Sequence, residues 1–194
     1  MAEEKLFGKY NEFIIVLLGF LLTGVIGTYI SQTYTMKNAE LTAANKIFSE
    51  YSQLIGDRYF TMNQVMIAIK NDYSDADIKS RWNAYRSELQ KWNTARSYNR
   101  EMIKLYFGQP LWNTERDIHY FFRAWGQSLE SANKDKLVVD FECLEGKIDR
   151  FLVIIHSFNF SFGKAIQKGE IGSNKDQSMV DKNPRPPTPC LIKT

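Results

Sequence analysis

The sequence predicts an all-α protein. An N-terminal single transmembrane helix continues into an antiparallel four-helix bundle-like domain with long helices, and a disordered C-terminal tail follows. Three observations predict this fold class: an uncharged apolar run near the start, apolar side chains at helical spacing through the centre, and an end that contains Gly, Ser and Pro. The predicted domains are a short N-terminal tail at 1–12, an anchor at 13–30, a bundle domain at 31–168 and a tail at 169–194.

The apolar run at 13–30 is the predicted membrane anchor. A helix through it would be roughly 27 Å long, close to the hydrocarbon thickness of a bilayer. The run is longer than the apolar core of a cleaved signal peptide and lacks an Ala-x-Ala site, so retention is favoured over cleavage. A buried core helix is the other alternative, although such helices usually carry polar positions. Small residues at close-packing spacing predict self-association of the anchor through Gly24, Gly27 and Thr28.

Charges beside the run indicate its orientation. Lys5 and Lys9 precede it, whereas Lys37 and Lys46 are the basic residues close behind it, so the positive-inside rule gives a thin margin. We predict a single-pass protein of the bacterial inner membrane with its bundle on the extracytoplasmic side. The cytoplasmic side is the alternative.

Behind the anchor, apolar residues recur every three or four positions, which is the spacing of one helix face. The first stripe consists of Phe48, Tyr51, Ile55, Arg58, Met62, Val65 and Ile69. Only Gly56 interrupts residues 31–71, so we predict one helix that leaves the bilayer and continues for about 40 residues. A turn follows, and the capping-box spacing of Ser74 and Asp77 predicts the start of a second helix.

The second predicted helix has the most regular heptad pattern in the chain. Its apolar face consists of Ile78, Trp82, Tyr85, Leu89, Trp92, Arg96, Asn99, Ile103 and Tyr106. Gly108 and Pro110 predict its end, because glycine favours a left-handed cap and proline cannot continue the hydrogen-bond ladder.

A third helix is predicted from Thr114, which has capping-box spacing to Asp117, as far as Leu129. A loop is predicted at 131–135. The fourth helix has its apolar face at Leu137, Phe141, Leu144, Ile148, Phe151, Ile155 and Phe158. Because residues 151–162 are the most apolar stretch outside the anchor, we predict that they pack on the exit of the anchor, at the lipid interface or against a second subunit.

Polar residues interrupt two of the apolar stripes. Arg58 lies in the first stripe, and Arg96 and Asn99 lie in the second. A buried arginine needs a partner, because its desolvation costs several kcal/mol. Candidate partners are Glu145 and Asp149 on the fourth helix, or Asp117 on the third. Three interpretations remain open: arginines that reach water, a buried network that fixes register or a two-state switch, and a pocket for a carboxylate or phosphate.

No catalytic or metal-binding motif stands out. Histidine occurs only at His119 and His156, and the chain has no His-x-x-x-His or Glu-x-x-His motif, so a di-metal bundle site is excluded and no cofactor is predicted. Cys143 and Cys190 form neither a CxxC site nor a disulfide framework, and they are compatible with either redox compartment. His119 and Arg123 lie one turn apart and could hold an anion, although an exposed helix face is the simpler interpretation.

The charge balance limits which classes of binding partner are expected. A net charge of +3, from 25 Lys and Arg against 22 Asp and Glu, gives no basic domain, so nucleic acid is not a predicted partner. We predict a non-catalytic protein that contacts the lipid bilayer and binds a protein partner or a second copy, as a sensor, scaffold or accessory subunit. Trp82, Trp92 and Trp125 are candidate partner-face residues, with core packing as the alternative. The alternative function is a membrane-acting effector or immunity factor whose anchor oligomerises to form or block a pore.

Overall fold

A computed structural model describes residues 27–135, 139–171 and 188–191. The described residues form three helices, α1 (Gly27–Lys70), α2 (Asp75–Asp135) and α3 (Phe141–Gln167), and one isolated antiparallel bridge between Val139 and Leu191. The predicted helical character is confirmed. The predicted count of four helices is wrong, because the predicted second and third helices belong to one element, α2.

The predicted membrane anchor needs correction. Within the described ranges, no helix combines the length and the apolarity that crossing a membrane requires. Residues 1–26, which include most of the predicted anchor, lie outside the described residues, and residues 27–30 form the first turn of α1. From there α1 continues through polar and charged sequence to Lys70. The single-pass anchor and the membrane localisation inferred from it are therefore unsupported.

The chain divides into two compact units, residues 1–42 and residues 43–194. The described part of the first unit is the N-terminal portion of α1, in which every side chain over residues 28–40 is exposed. There the Thr33 hydroxyl donates to the carbonyl oxygen of Tyr29, 2.9 Å away. The second unit contains the hydrophobic core.

A tight turn joins α1 to α2. The backbone N–H of Tyr73 donates to the carbonyl oxygen of Ala68 at 3.0 Å, and Asp72 adopts a positive φ of 51°. The N–H of Asp77 donates to the hydroxyl oxygen of Ser74 at 3.2 Å, which satisfies one of the free donors at the start of α2. The predicted role of Ser74 as a cap is confirmed.

Gly108 breaks α2 into two halves without a loop. Its φ of 79° and ψ of −178° are outside the helical region, and a side chain would be strained there. Helical geometry resumes at once, because Pro110 falls in the first turn of the second half, where its missing N–H is not needed. Thr114 is therefore not a cap: its hydroxyl donates to the carbonyl oxygen of Pro110 at 3.1 Å. The two halves run antiparallel, and the rings of Trp92 and Phe122 meet across them at 5.5 Å.

Aromatic side chains fill the core of the second unit. The largest fully buried side chains include Tyr51, Trp92, Phe122, Trp125, Phe151, Phe158 and Phe162. The last three lie on α3, where the ring of Phe151 stacks on Phe121 with centroids 4.0 Å apart and Phe162 packs against Phe48 at 5.3 Å. The apolar face of residues 151–162 thus packs within its own chain rather than at the predicted lipid or subunit contact. Val153 and Phe160 on the same helix remain exposed.

The connection between α2 and α3 differs from the prediction at both ends. The predicted loop at 131–135 is instead the last turn of α2. Helix α3 begins after Asp140, whose carboxylate accepts a hydrogen bond from the N–H of Cys143 at 2.9 Å. An aspartate cap that the periodicity does not reveal therefore sets the start of α3.

A C-terminal segment, residues 188–191, packs on α2 and α3. Cys190 forms a disulfide with Cys143, and its N–H donates to the hydroxyl oxygen of Ser128 at 3.0 Å. The N–H of Asp140 donates to the carbonyl oxygen of Cys190 at 3.2 Å. The predicted disordered tail therefore does not extend over this segment, and residues 172–187 and 192–194 lie outside the described residues. The sequence does not reveal this pairing, because the fold brings together two cysteines that are 47 residues apart.

Candidate functional site

Glu115 is the buried centre of a polar cluster. Its side chain is fully buried, and the Tyr51 hydroxyl donates to its Oε1 at 2.9 Å. Arg96 donates from Nε to Oε1 at 2.8 Å and from Nη2 to Oε2 at 3.3 Å. The Nε of Arg100 lies 3.3 Å from Oε2. One carboxylate thus holds two guanidinium groups and a hydroxyl, a charge-assisted arrangement that stabilises all three.

Local geometry explains why these groups meet. Arg96 and Arg100 are four residues apart and share one face of the first half of α2. The reversal at Gly108 brings Glu115 back against that face, and α1 supplies Tyr51 from the other side. The guanidinium of Arg100 also lies over the ring of Trp112, 3.9 Å from its centroid. Aromatic contact and a shared carboxylate therefore hold this arginine.

Arg58 on α1 is a buried guanidinium outside this ion-pair set. Only 3% of the residue is exposed, and its Cζ lies 5.0 Å from the ring centroid of Trp92 and 4.5 Å from that of Phe122. Its Nε and Nη1 have no hydrogen-bond acceptor among the described residues. The Tyr85 hydroxyl interacts with the guanidinium, and burial lowers the pKa of Arg58 below its ordinary value. The charge of Arg58 is thus held by aromatic faces and a phenol rather than by a carboxylate.

A cleft of about 380 Å³ opens beside Arg58. Six of the polar and charged residues that line it are Arg58, Tyr85, His119, Arg123, Gln127 and Glu130. The base is buried, whereas Arg123, Gln127 and Glu130 are exposed along its rim. A volume of this size falls in the range of small-molecule sites, which usually combine apolar walls with a few polar groups.

The positive charge of the cluster acts on His119. Burial, together with the positive charges of Arg96, Arg58, Arg123 and Arg100, lowers the pKa of His119 to about 4. His119 is therefore neutral near pH 7, and its ring can both donate and accept a hydrogen bond. The same burial raises the pKa of Tyr85 above its ordinary value, so that its hydroxyl stays protonated.

Other predicted members of the polar seam lie elsewhere. Asn99 is buried and lines a separate cavity of about 370 Å³ with Asp57 and Lys91. Glu145 forms a partly exposed ion pair with Lys70, and Asp149 is exposed on α3. Neither carboxylate forms an ion pair with Arg58 or Arg96 among the described residues.

The predicted partner face needs the same kind of correction. Trp82, Trp92 and Trp125 are exposed by 4% or less, so their indoles pack in the core and do not form a surface for a partner. Of the predicted self-association residues, Gly24 lies outside the described residues. Gly27 begins α1, and Thr28 is exposed on its first turn.

Sequence reasoning missed the central residue of the cluster. Glu115 stands three residues before Ile118 and seven before Phe122, both of which are buried on the inner face of α2. A glutamate on an apolar stripe is the signal that was available, in the same way as Arg58 and Arg96 on their stripes. With Thr114 as the predicted helix start, the apolar stripe begins at Ile118, and Glu115 falls in the first turn, where an acidic residue is common.

Comparison of this chain with protein-family models, with curated proteins and with solved structures finds no match.

Proposed function

We propose that this protein is a non-catalytic binding protein that holds a small anionic ligand in the cleft beside Arg58. One observation carries the proposal: the guanidinium of Arg58 is buried, lines the cleft and keeps two nitrogens without an acceptor among the described residues. A buried charge without an opposite charge costs several kcal/mol, and an anion in the cleft would offset this cost.

The distribution of charge around the cleft supports the proposal. Arg96 and Arg100 already share Glu115, whereas Arg58 has no ion pair among the residues that the structure describes. Arg123 on the rim adds a second cation to the same cleft. Guanidinium groups bind carboxylates and phosphates through paired hydrogen bonds, so these two classes of anion suit the site.

The cleft suits binding better than catalysis. His119 is the histidine that lines the cleft, and a pKa of about 4 makes it a weak base near neutral pH. General-base catalysis works best when the pKa of the base is close to the working pH. The same neutral ring is well suited to a fixed hydrogen bond with a bound anion.

Isothermal titration calorimetry of the full chain with inorganic phosphate and with acetate tests the proposal. We expect saturable binding of at least one of them, because each is a small anion of a class that the site suits. Replacing Arg123 by Gln should weaken it about tenfold, since a hydrogen bond to a charged group contributes about 1.5–3 kcal/mol. Arg123 is exposed, so this variant is expected to fold.

Arg86→Gln is the matched control, because Arg86 is also exposed on α2 but does not line the cleft. It should bind as the native chain does. Arg58→Met, which retains an apolar stem of similar length, should abolish binding. Equal affinity in the native chain, Arg123→Gln and Arg86→Gln, or no binding of phosphate or of any small carboxylate, would overturn the proposal.

The predicted protein partner or second copy stays a prediction, as does the expectation that nucleic acid is not bound. The buried tryptophans no longer support a partner face.

A further inference from the structure

One wall of the cleft is polar along its length. His119, Arg123, Gln127 and Glu130 succeed one another at three- and four-residue steps on the second half of α2, so they form one wall. Arg123 and Glu130 are seven residues apart, which corresponds to roughly 10 Å along the helix axis. One end of the wall is therefore cationic, and the other end carries a carboxylate.

Tyr85 lies between the two charged ends. Its hydroxyl interacts with the Arg58 guanidinium, and it is near enough to Glu130 for that carboxylate to raise its pKa. Gly126 stands beside it, where an added Cβ would be 3.3 Å from the Tyr85 oxygen. The absence of a side chain at Gly126 thus lets the Tyr85 hydroxyl pack closely against α2 between Arg123 and Glu130.

Glu130 is available to a ligand. It lines the cleft, and no ion pair or hydrogen bond of its side chain occurs among the described residues. A ligand with a second anionic group would meet repulsion from Glu130, whereas a ligand with a cationic group would be attracted to it. The acidic end of the cleft therefore selects against simple dianions.

We propose that the ligand is a small zwitterion, a proposal that rests on the proposed anion site. Arg58 and Arg123 hold its carboxylate, and Glu130 holds its ammonium group. Molecules of this class include amino acids and short amino-terminated carboxylic acids. The phenol of Tyr85 and the neutral imidazole of His119 can donate to the carboxylate. Both ends of such a ligand then face groups of opposite charge.

Two sets of matched ligands test the class by calorimetry on the full chain. The short set is acetate, glycine and malonate, and the longer set is butyrate, 4-aminobutyrate and glutarate. Within each set, one hydrogen of the terminal methyl group of the first acid is replaced by an ammonium group or by a second carboxylate. We expect the zwitterion of at least one set to bind about tenfold or more tightly than its two companions.

Variants at Glu130 test whether its carboxylate causes the preference for the zwitterion. Glu130→Gln should reduce the preference for the zwitterion to within about twofold, and Glu130→Lys should shift it toward the dicarboxylate. Glu130 is exposed, so both variants are expected to fold. Glu101→Gln is the control, because Glu101 is exposed on α2 away from the cleft, and it should keep the native preference.

The outcomes separate this inference from the proposed function. If all members of both sets bind equally and Arg123→Gln weakens them equally, the anion site stands and the zwitterion is overturned. If a zwitterion is preferred but Glu130→Gln retains the preference, the role of Glu130 is overturned. If no member of either set and no phosphate binds, both proposals fail.

Discussion

The hydroxyl of Tyr51 donates a hydrogen bond to the carboxylate of Glu115, 64 residues away in the chain, at 2.9 Å inside the core. This contact joins α1 to the second half of α2 at a fully buried acidic group. Burial and the charge of Glu115 together raise the pKa of Tyr51 well above its ordinary value, so the phenol remains a donor. Arg96 and Arg100 then balance the charge of the carboxylate.

Glu115→Gln should destabilise the protein strongly. The substitution keeps the shape of the side chain but removes the charge that Arg96 and Arg100 share. Breaking a buried pair costs about 3–5 kcal/mol, and we expect a value near the lower limit because both arginines are partly exposed. Urea unfolding of the full chain measures the loss.

Tyr51→Phe shows whether the cluster acts as a unit. Loss of its hydrogen bond to a charged acceptor should cost about 2 kcal/mol on its own. The double variant with Glu115→Gln should lose less free energy of unfolding than the sum of the losses in the two single variants, because both substitutions remove the same contact. Additive losses within about 0.3 kcal/mol would contradict a shared network.

His119 should make the stability depend on pH below neutrality. In the unfolded chain His119 binds a proton below about pH 6.5, whereas in the folded protein it does so only near pH 4. Between these values the unfolded state binds more protons, so the free energy of unfolding falls as the pH falls from 6.5 to 4.

The measurement compares urea unfolding of the native chain and of His119→Gln across this window. The variant should lose less stability, since its unfolded state no longer gains that proton. His156→Gln controls for the loss of a histidine ring at an exposed position on α3. Identical pH profiles for the native chain and His119→Gln would show that His119 is not held neutral.

Gly108→Ala should destabilise the protein by about 1–3 kcal/mol, because a φ of 79° with an extended ψ is a sparsely populated conformation for a residue with a Cβ. Gly146→Ala is the matched substitution in α3. No atom lies within 4 Å of the Cβ position there, so alanine should stabilise the helix by about 1 kcal/mol. Thermal unfolding of both variants gives the comparison, and a neutral Gly108→Ala would be inconsistent with the reversal.

The disulfide should contribute to stability through the loop that it closes. Cys143 and Cys190 are 47 residues apart, and a chain-entropy model gives about 4 kcal/mol for a loop of this length. Replacing both cysteines by alanine should lower the free energy of unfolding. It should also expose the backbone amide at position 190 to hydrogen exchange. The native chain with reductant should behave like the variant, and the variant itself should not respond to reductant.

Periodicity predicted the buried faces well where a helix is long and amphipathic. Tyr51, Ile55, Met62 and Val65 of the first stripe are buried, and the heptad that includes Trp92 is buried along most of its length. Ser74 was identifiable as a cap because its bond to Asp77 spans only three residues. Gly108 was correctly marked as a break, although a glycine alone does not say whether a loop follows.

The sequence by itself determined which residues face inward on each helix, since that depends only on the 3.6-residue turn and on apolar burial. It could not assign Glu115 to Arg96 and Arg100, or Cys190 to Cys143, because the first pairing depends on the reversal at Gly108 and the second on how the C-terminal segment packs on α2 and α3. Tertiary structure also decided that Arg58 faces a cleft with Arg123 and Glu130. The role of a buried charge depends on the groups that long-range packing brings within a few ångströms of it. Helical spacing carries no information about those groups.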